Sequence, residues 1–163
     1  RGTGCTIVGK NCLLMAYVHI GHDCRLGDRV IMANNASVAG HVVVGDYANF
    51  GGYSGVPQFR SIGENTHIAA MSLVTKDVPA FMTVAGNPAS AVGLNLEGMR
   101  RRDFSEDALA ALKESHKIVY RSGLTKNKAL TQLAELRTKY SEVEKFVRSI
   151  ESSESGIVRG RSH

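Results

Sequence analysis

From Val8 to Val74 a large apolar residue recurs at every sixth position: Val8, Leu14, Ile20, Leu26, Met32, Val38, Val44, Phe50, Val56, Ile62, Ile68 and Val74. The residue after each is mostly Gly or Ala, as at Gly9, Gly21, Gly27, Ala33, Ala39 and Gly45. Four places on, small or β-branched residues dominate, among them Cys12, Val18, Cys24, Val30, Ala36 and Val42. A helix cannot hold a six-residue repeat on one face, because its own period is 3.6. A hexapeptide β-solenoid can, since each unit is one short strand plus one corner. Three units close a triangular coil, so residues about 18 apart lie above one another, and the repeat makes about four coils. Asn34, Asn35, Gly40, Gly51, Gly52 and Gly55 are expected at corners, where the backbone must be permissive.

The period changes after Lys76-Asp77-Val78-Pro79, where Pro79 suits a strand exit because it has no N–H for a ladder. Gly86-Asn87-Pro88 reads as a turn. Ser105, followed by Glu106 and Asp107, opens a helix with Leu109, Leu112 and Val119 on its apolar face and a stop at Gly123. Thr125 begins a second helix with Leu130, Leu133 and Leu136 inward. Ser141 is expected to cap a third, with Val143, Phe146, Val147 and Ile150 inward. The predicted fold class is therefore mainly β plus α. Parallel β-helix coils occupy residues 1–79, a connector 80–104, and a three-helix bundle 105–159. Residues Gly160-Arg161-Ser162-His163 read as a tag remnant. No capping segment precedes the coil after Arg1-Gly2-Thr3, so the chain is expected to be part of a longer protein with further coils.

Composition narrows the class of function. No run of 18 apolar residues and no signal peptide is present, so no transmembrane segment is expected. Three cysteines do not make a disulfide framework, and Cys12 and Cys24 fall on inward positions, as reduced core residues of a cytoplasmic protein would. The net charge of +5 is uneven: residues 94–163 hold 14 Lys/Arg against 10 Asp/Glu, and residues 1–93 hold 6 against 5. A basic C-terminal part fits an acidic or phosphate-bearing partner, or simply a solvated surface. Aromatics are 6% with no Trp, and no nucleic-acid motif occurs, so no nucleic-acid partner is expected.

The repeat also states which polar residues meet. The densest cluster is His19-Ile20-Gly21-His22-Asp23-Cys24. Steps of 18 lead from His22 to Gly40 and Gln58, and from Asp23 to His41, so these five should crowd one corner of successive coils. The grouping suits acyl transfer. A histidine can take a hydroxyl proton, a neighbouring carboxylate can orient it, and a glycine N–H one coil away can face a developing oxyanion. No Ser or Cys lies in a nucleophile motif, which favours direct transfer over a covalent intermediate. Each piece also has a plainer reading: a corner histidine as a surface residue, a corner glycine chosen for its dihedrals. The His/Asp set could also be a metal site, but no compact His-x-His or Cys-x-x-Cys spacing supports one. His67 and His116 are read as structural. A second cluster, Gly98-Met99-Arg100-Arg101-Arg102 beside Asn95 and Glu97, could grip a diphosphate or be a solvated helix end.

Taken in order, the His19–Cys24 run, Ala33-Asn34-Asn35-Ala36, Ala39-Gly40-His41-Val42, Gly51-Gly52, Gln58-Phe59, Lys76-Asp77-Val78-Pro79, Gly86-Asn87-Pro88 and Asn95-Leu96-Glu97-Gly98-Met99-Arg100-Arg101-Arg102 resemble the bacterial acyl-carrier-protein–UDP-N-acetylglucosamine O-acyltransferases. The hexapeptides alone are shared by many acyl- and nucleotidyltransferases; the last of these stretches with the His-Asp-Cys run is far more specific. The resemblance implies a left-handed β-helix with a helical C-terminal domain, assembled as a homotrimer with active sites between neighbouring subunits. It implies transfer of an (R)-3-hydroxyacyl group from acyl carrier protein to the 3-hydroxyl of UDP-N-acetylglucosamine, the first step of lipid A biosynthesis, in the cytoplasm. No metal and no cofactor are implied beyond the carrier-protein thioester as co-substrate. By the same resemblance His22 is the general base, Asp23 its partner and the Gly40 N–H the oxyanion donor. His19, His41 and Gln58 would line the cleft, Ala70 would limit the acyl chain, and Asn95, Glu97, Arg101 and Arg102 would hold the nucleotide sugar.

Two departures are visible: Pro57 stands where many relatives have His, and a short connection is missing between Thr3 and Gly4. Without the coils that relatives carry before Arg1, the chain by itself is expected to turn over weakly or not at all. Two alternatives are an N-acyltransferase acting later in the same pathway and a non-catalytic solenoid scaffold. The helical tail and the arginine run argue against the first.

Overall fold

The computed structural model describes residues 2–160; Arg1 and residues 161–163 of the expected tag remnant lie outside it. Eleven two-residue strands follow at six-residue intervals: β1 (Ile7–Val8), β2 (Leu13–Leu14), β3 (His19–Ile20), β4 (Arg25–Leu26), β5 (Ile31–Met32), β6 (Ser37–Val38), β7 (Val43–Val44), β8 (Asn49–Phe50), β9 (Gly55–Val56), β10 (Ser61–Ile62) and β11 (His67–Ile68). They pair in parallel 18 residues apart, as in Ile7↔Arg25 and Val8↔Leu26. Three faces result: β1-β4-β7-β10, β2-β5-β8-β11 and β3-β6-β9. The second residue of each strand points inward. Met32, Val38, Phe50 and Ile68 are wholly buried, whereas in the first coil Val8 is 42% and Leu14 40% exposed.

The corners differ from expectation in one instructive way. Gly40, Gly51, Gly52 and Gly55 are not in the left-handed region. Positive φ falls on a sixfold series of larger residues, including Tyr17, Asp23, Arg29, Asn35, His41, Tyr47 and Phe59, with φ between 55° and 61°. Gly51 answers a different demand, close approach between coils, and Gly55 lies on β9 rather than at a corner. A Cβ on Gly51 would stand 2.8 Å from the Ala69 carbonyl carbon, nearer than such atoms pack.

The solenoid does not end with its repeat. β12 (Met82–Gly86) pairs in parallel with β11, and β13 (Ala89–Leu94) returns antiparallel to it, so a hairpin extends the second face. Asn87-Pro88 is the turn, with a cis peptide bond. Helices follow: α1 (Leu96–Arg100), α2 (Glu106–Tyr120), α3 (Lys126–Gln132), α4 (Ala134–Lys139) and α5 (Ser141–Glu151). The three expected helices thus become α2, a broken pair α3–α4, and α5, while α1 was not foreseen. Ser105 and Thr125 cap as expected, their hydroxyls accepting from the N–H groups of Ala108 and Lys128. Ser141 does not cap; it is already helical, and its hydroxyl meets Glu142. Leu133, where the middle helix breaks, is fully buried, so packing rather than periodicity decides that join.

The helices belong to the same core as the solenoid. Phe81 meets Phe104 edge-on at 5.7 Å, and Met99, Leu112 and Phe146 are wholly buried. Buried Asp77 fastens the C-terminal tail to the last coil. One oxygen accepts from the Ser61 N–H at 2.9 Å, the other from the Ser153 and Ser155 hydroxyls at 2.7 and 3.1 Å.

Candidate active site

The corner between β3 and β4 carries His22 and Asp23, and the same corner one coil on carries Gly40 and His41. The repeat therefore places four of the five expected residues side by side. Asp23 and His41 have matching φ of 60° and 61°, so their side chains leave the backbone the same way. His22 Nδ1 and Asp23 Oδ2 are 2.8 Å apart. The His41 Nε2 is 3.9 Å from the same oxygen. The other oxygen, Oδ1, accepts from the Gly4 N–H at 2.6 Å and the Thr3 hydroxyl at 3.1 Å. The hydrogen bond with His22 holds the Asp23 carboxyl well below the usual carboxylate range; Gly4, Thr3 and the nearby His41 act in the same direction, against desolvation. Asp23 is thus a fixed anion whose two oxygens have divided duties.

His22 is open, with 69% of its side chain exposed. Since Nδ1 is engaged by Asp23, Nε2 is the nitrogen left to act on a ligand. It lies over Gly40, 2.6 Å from where a Cβ would be. Gly40 is itself buried, and among the described residues its N–H has no hydrogen-bond acceptor. The corner thus presents a free basic nitrogen and a free N–H donor next to each other. His41 crosses His22 edge-on at 4.9 Å and stacks on Phe59 at 4.6 Å.

The remaining expected residues divide. Gln58 is on the same ladder but exposed, and Phe59, not Gln58, is the residue that supports His41. His19 is on β3, opposite Ser37, with its side chain outward. Ala70 belongs to another corner, beside Gly51. Asn95, Glu97, Arg101 and Arg102 form a second site. It is a pocket of about 370 Å³ along the face of β5, β8 and β11 and its edge, with Arg29, Tyr47, Asn65 and His67 also in its wall. There Asn95 caps α1 through the Gly98 N–H and donates to the Asn65 carbonyl. Glu97 pairs with Arg101 at 2.9 Å, both exposed. The Arg102 guanidinium lies 2.8 Å above the Tyr47 ring. The pocket and the His22 corner occupy different corners of the same prism, so one chain does not bring them together.

Sequence reasoning missed Arg29, Tyr47, Asn65 and His67. The 18-residue step that links His22 to Gly40 also links Arg29, Tyr47 and Asn65, so the signal was present. His67 was read as structural; it lines this pocket, half-buried, and burial lowers its pKa. His116 stacks on Tyr120 at 4.8 Å, in keeping with a packing role.

Comparison with known proteins gives a consistent result. The sequence profile of the family described as UDP-N-acetylglucosamine O-acyltransferase, domain 2, matches residues 77–158, and that of the bacterial transferase hexapeptide matches residues 5–40. An acyl-[acyl-carrier-protein]–UDP-N-acetylglucosamine O-acyltransferase of Ectopseudomonas mendocina is 49% identical over 154 residues, 94% of this chain and 60% of its own length. One from Thiobacillus denitrificans is 47% identical over 156 residues, again 60% of its length. Among solved structures, a UDP-N-acetylglucosamine O-acyltransferase of Moraxella catarrhalis superposes with a TM-score of 0.94 at 44% identity, covering 97% of this chain and 62% of that one. LpxA of Acinetobacter baumannii gives 0.90 at 45% identity, covering 93% and 59%. The chain thus spans about 60% of the length of the curated relatives it matches.

Proposed function

The chain belongs to the UDP-N-acetylglucosamine O-acyltransferase family, and we propose that it carries the catalytic corner of such an enzyme. It transfers an (R)-3-hydroxyacyl group from the thioester of acyl carrier protein to the 3-hydroxyl of UDP-N-acetylglucosamine. This is the first step of lipid A biosynthesis. His22 Nε2 takes the proton of the hydroxyl, and the oxygen attacks the thioester carbonyl carbon. The tetrahedral oxyanion accepts a hydrogen bond from the Gly40 N–H. Collapse breaks the carbon–sulfur bond, and the departing thiolate recovers the proton from His22. Asp23 orients the imidazole and stabilises its charged form. No resident metal or cofactor enters this scheme.

The observation that carries this reading is the division of labour at Asp23. Its bond to His22 Nδ1 at 2.8 Å leaves Nε2 free beside an unpaired Gly40 N–H. His19, His41 and Gln58 line the acyl-transfer cleft, and Ala70 bounds the acyl chain. Asn95, Glu97, Arg101 and Arg102 hold the nucleotide sugar, the arginines facing its diphosphate. Because that pocket and the His22 corner lie on different corners, a homotrimer would complete each site by apposing one copy's corner to a neighbour's pocket. The basic helical region suits the acidic carrier protein. Three free cysteines suit a cytoplasmic enzyme, and among the described residues no helix is long and apolar enough to cross a membrane.

The test is an assay of the full-length protein with UDP-N-acetylglucosamine and a panel of 3-hydroxyacyl carrier proteins. His22→Ala should lower turnover by roughly 10²–10⁴ with the assembly's mass unchanged in light scattering. Undiminished turnover would remove His22 from the role of base.

A further inference from the structure

We propose that His22, Asp23 and His41 also form a binding site for a zinc ion, and that the ion reversibly inhibits acyl transfer. The binding rests on geometry alone; the inhibition rests on the His22 base proposed above.

One nitrogen of each histidine and one Asp23 oxygen lie within 4.8 Å of one another. The chain spacing of His22, Asp23 and His41 is not a compact metal motif, and only the coil step of 18 residues brings the third ligand in. Two imidazole nitrogens and a carboxylate oxygen are a donor set that favours Zn²⁺ over Mg²⁺ or Ca²⁺. Zinc bonds of about 2.0–2.2 Å in tetrahedral array need ligand atoms about 3.3 Å apart. The present separations to Asp23 Oδ2 are 2.8 Å and 3.9 Å, and no two of the three ligand atoms are more than 4.8 Å apart. Side-chain rotation has to draw the set together around the ion, and the exposure of His22 leaves its ring free to turn. Asp23 is fixed from behind by the Gly4 N–H and the Thr3 hydroxyl. Such an outer hydrogen-bond shell is what orients a metal-ligating carboxylate. Phe59 backs the His41 ring, and the His22 side chain is open to solvent.

Zinc and the acyl-transfer reaction compete for one lone pair. Coordination through His22 Nδ1 puts the imidazole's proton on Nε2, and coordination through Nε2 after a ring flip occupies it directly. In neither case can His22 accept the proton of a sugar hydroxyl.

The experiment is calorimetric titration of metal-stripped full-length protein with ZnCl₂, alongside His41→Ala and Cys5→Ser. Cys5 is an exposed thiol on a neighbouring segment and is the natural competitor for zinc. The expected result is one ion per chain, with affinity reduced at least about tenfold in His41→Ala, the lower edge of what even a supporting partner contributes. Cys5→Ser should bind as the parent does. Since His41 lies at a corner rather than in the core, the variant's melting curve checks that it is folded. Co²⁺ should bind the same site with no thiolate charge-transfer band. Equal affinity in His41→Ala, or loss of binding in Cys5→Ser, overturns the site. Turnover should fall on adding zinc and return with EDTA. Zinc bound at His41 with turnover undiminished overturns the inhibition. If turnover of metal-free enzyme survives His22→Ala, it is the base assignment that fails, and the titration still decides the site.

Discussion

Gly40→Ala tests the proposed catalytic corner with a single methyl group. The new Cβ would stand 2.6 Å from His22 Nε2, 2.8 Å from Cε1 and 3.1 Å from Cδ2. Non-bonded heavy atoms settle at about 3.5–4.0 Å, so the ring must withdraw by about 1 Å. It has room to do so, since most of the His22 side chain is in solvent. The backbone at residue 40 does not need glycine for its φ, so alanine is tolerated there. The fold should survive while the base is misplaced. A 1 Å error in a reacting group costs about 10²-fold in rate, or about 2.7 kcal/mol of transition-state stabilisation. The assay is kcat and KM for both substrates together with thermal melting. We expect kcat to fall about 10²-fold with Tm nearly unchanged. Gly55→Ala is the control: its Cβ would meet only Leu73 Cδ1 at 3.5 Å, an ordinary contact, and activity should be retained. Full turnover in Gly40→Ala would refute the argument that His22 acts from its present place over Gly40. Loss of folding would refute the claim that the glycine serves the site and not the coil.

Arg102→Ala, which removes the guanidinium over Tyr47, should raise KM for the nucleotide sugar and leave kcat little changed in steady-state kinetics, the pattern of lost uniform binding. Phe50→Ala, at a wholly buried position of the solenoid, should cost about 3–5 kcal/mol in denaturant unfolding. Arg137 bonds Glu144 and Glu151 and lowers the Glu144 pKa below its usual 4.5. A lowered folded-state pKa stabilises above the unfolded value and is lost as pH falls. Arg137→Met should therefore lower Tm at pH 7, and the gap to the parent should close as the pH drops below about 4; a gap that stays constant would contradict the pairing.

Much of the candidate corner was legible in the sequence. The step of 18 is arithmetic once the coil holds three hexapeptides, and it put His22 over Gly40 and Asp23 over His41. The same arithmetic puts Arg29, Tyr47 and Asn65 on one ladder, where no histidine or acid–base pair marks it as a site. Gly40, Gly51 and Gly52 were legible as corner positions but not as to cause, because composition does not distinguish a left-handed residue from one that lacks room for a Cβ; Gly55 lies on β9 instead. The helical region was legible as amphipathic stretches, and their buried faces at Leu112, Phe146 and Ile150 are as the spacing implied. The hairpin of β12 and β13, α1 and the break at Leu133 were not, since none is periodic.

The solenoid, its register and the coil on which each polar residue sits follow from the strict six-residue period, which admits one stacking. How the side chains are committed follows from packing across the folded chain. Asp23 gives one oxygen to Gly4 and Thr3 and the other to His22, and a Gly4–Asp23 contact depends on a segment outside the repeat. Phe59, not Gln58, holds His41. Arg102 reaches Tyr47 because a hairpin and a short helix carry it back across the coils. Periodicity governs which residues are neighbours along the solenoid axis; rotamers and chain returns, settled by packing and hydrogen bonding across the whole core, govern which of those neighbours touch.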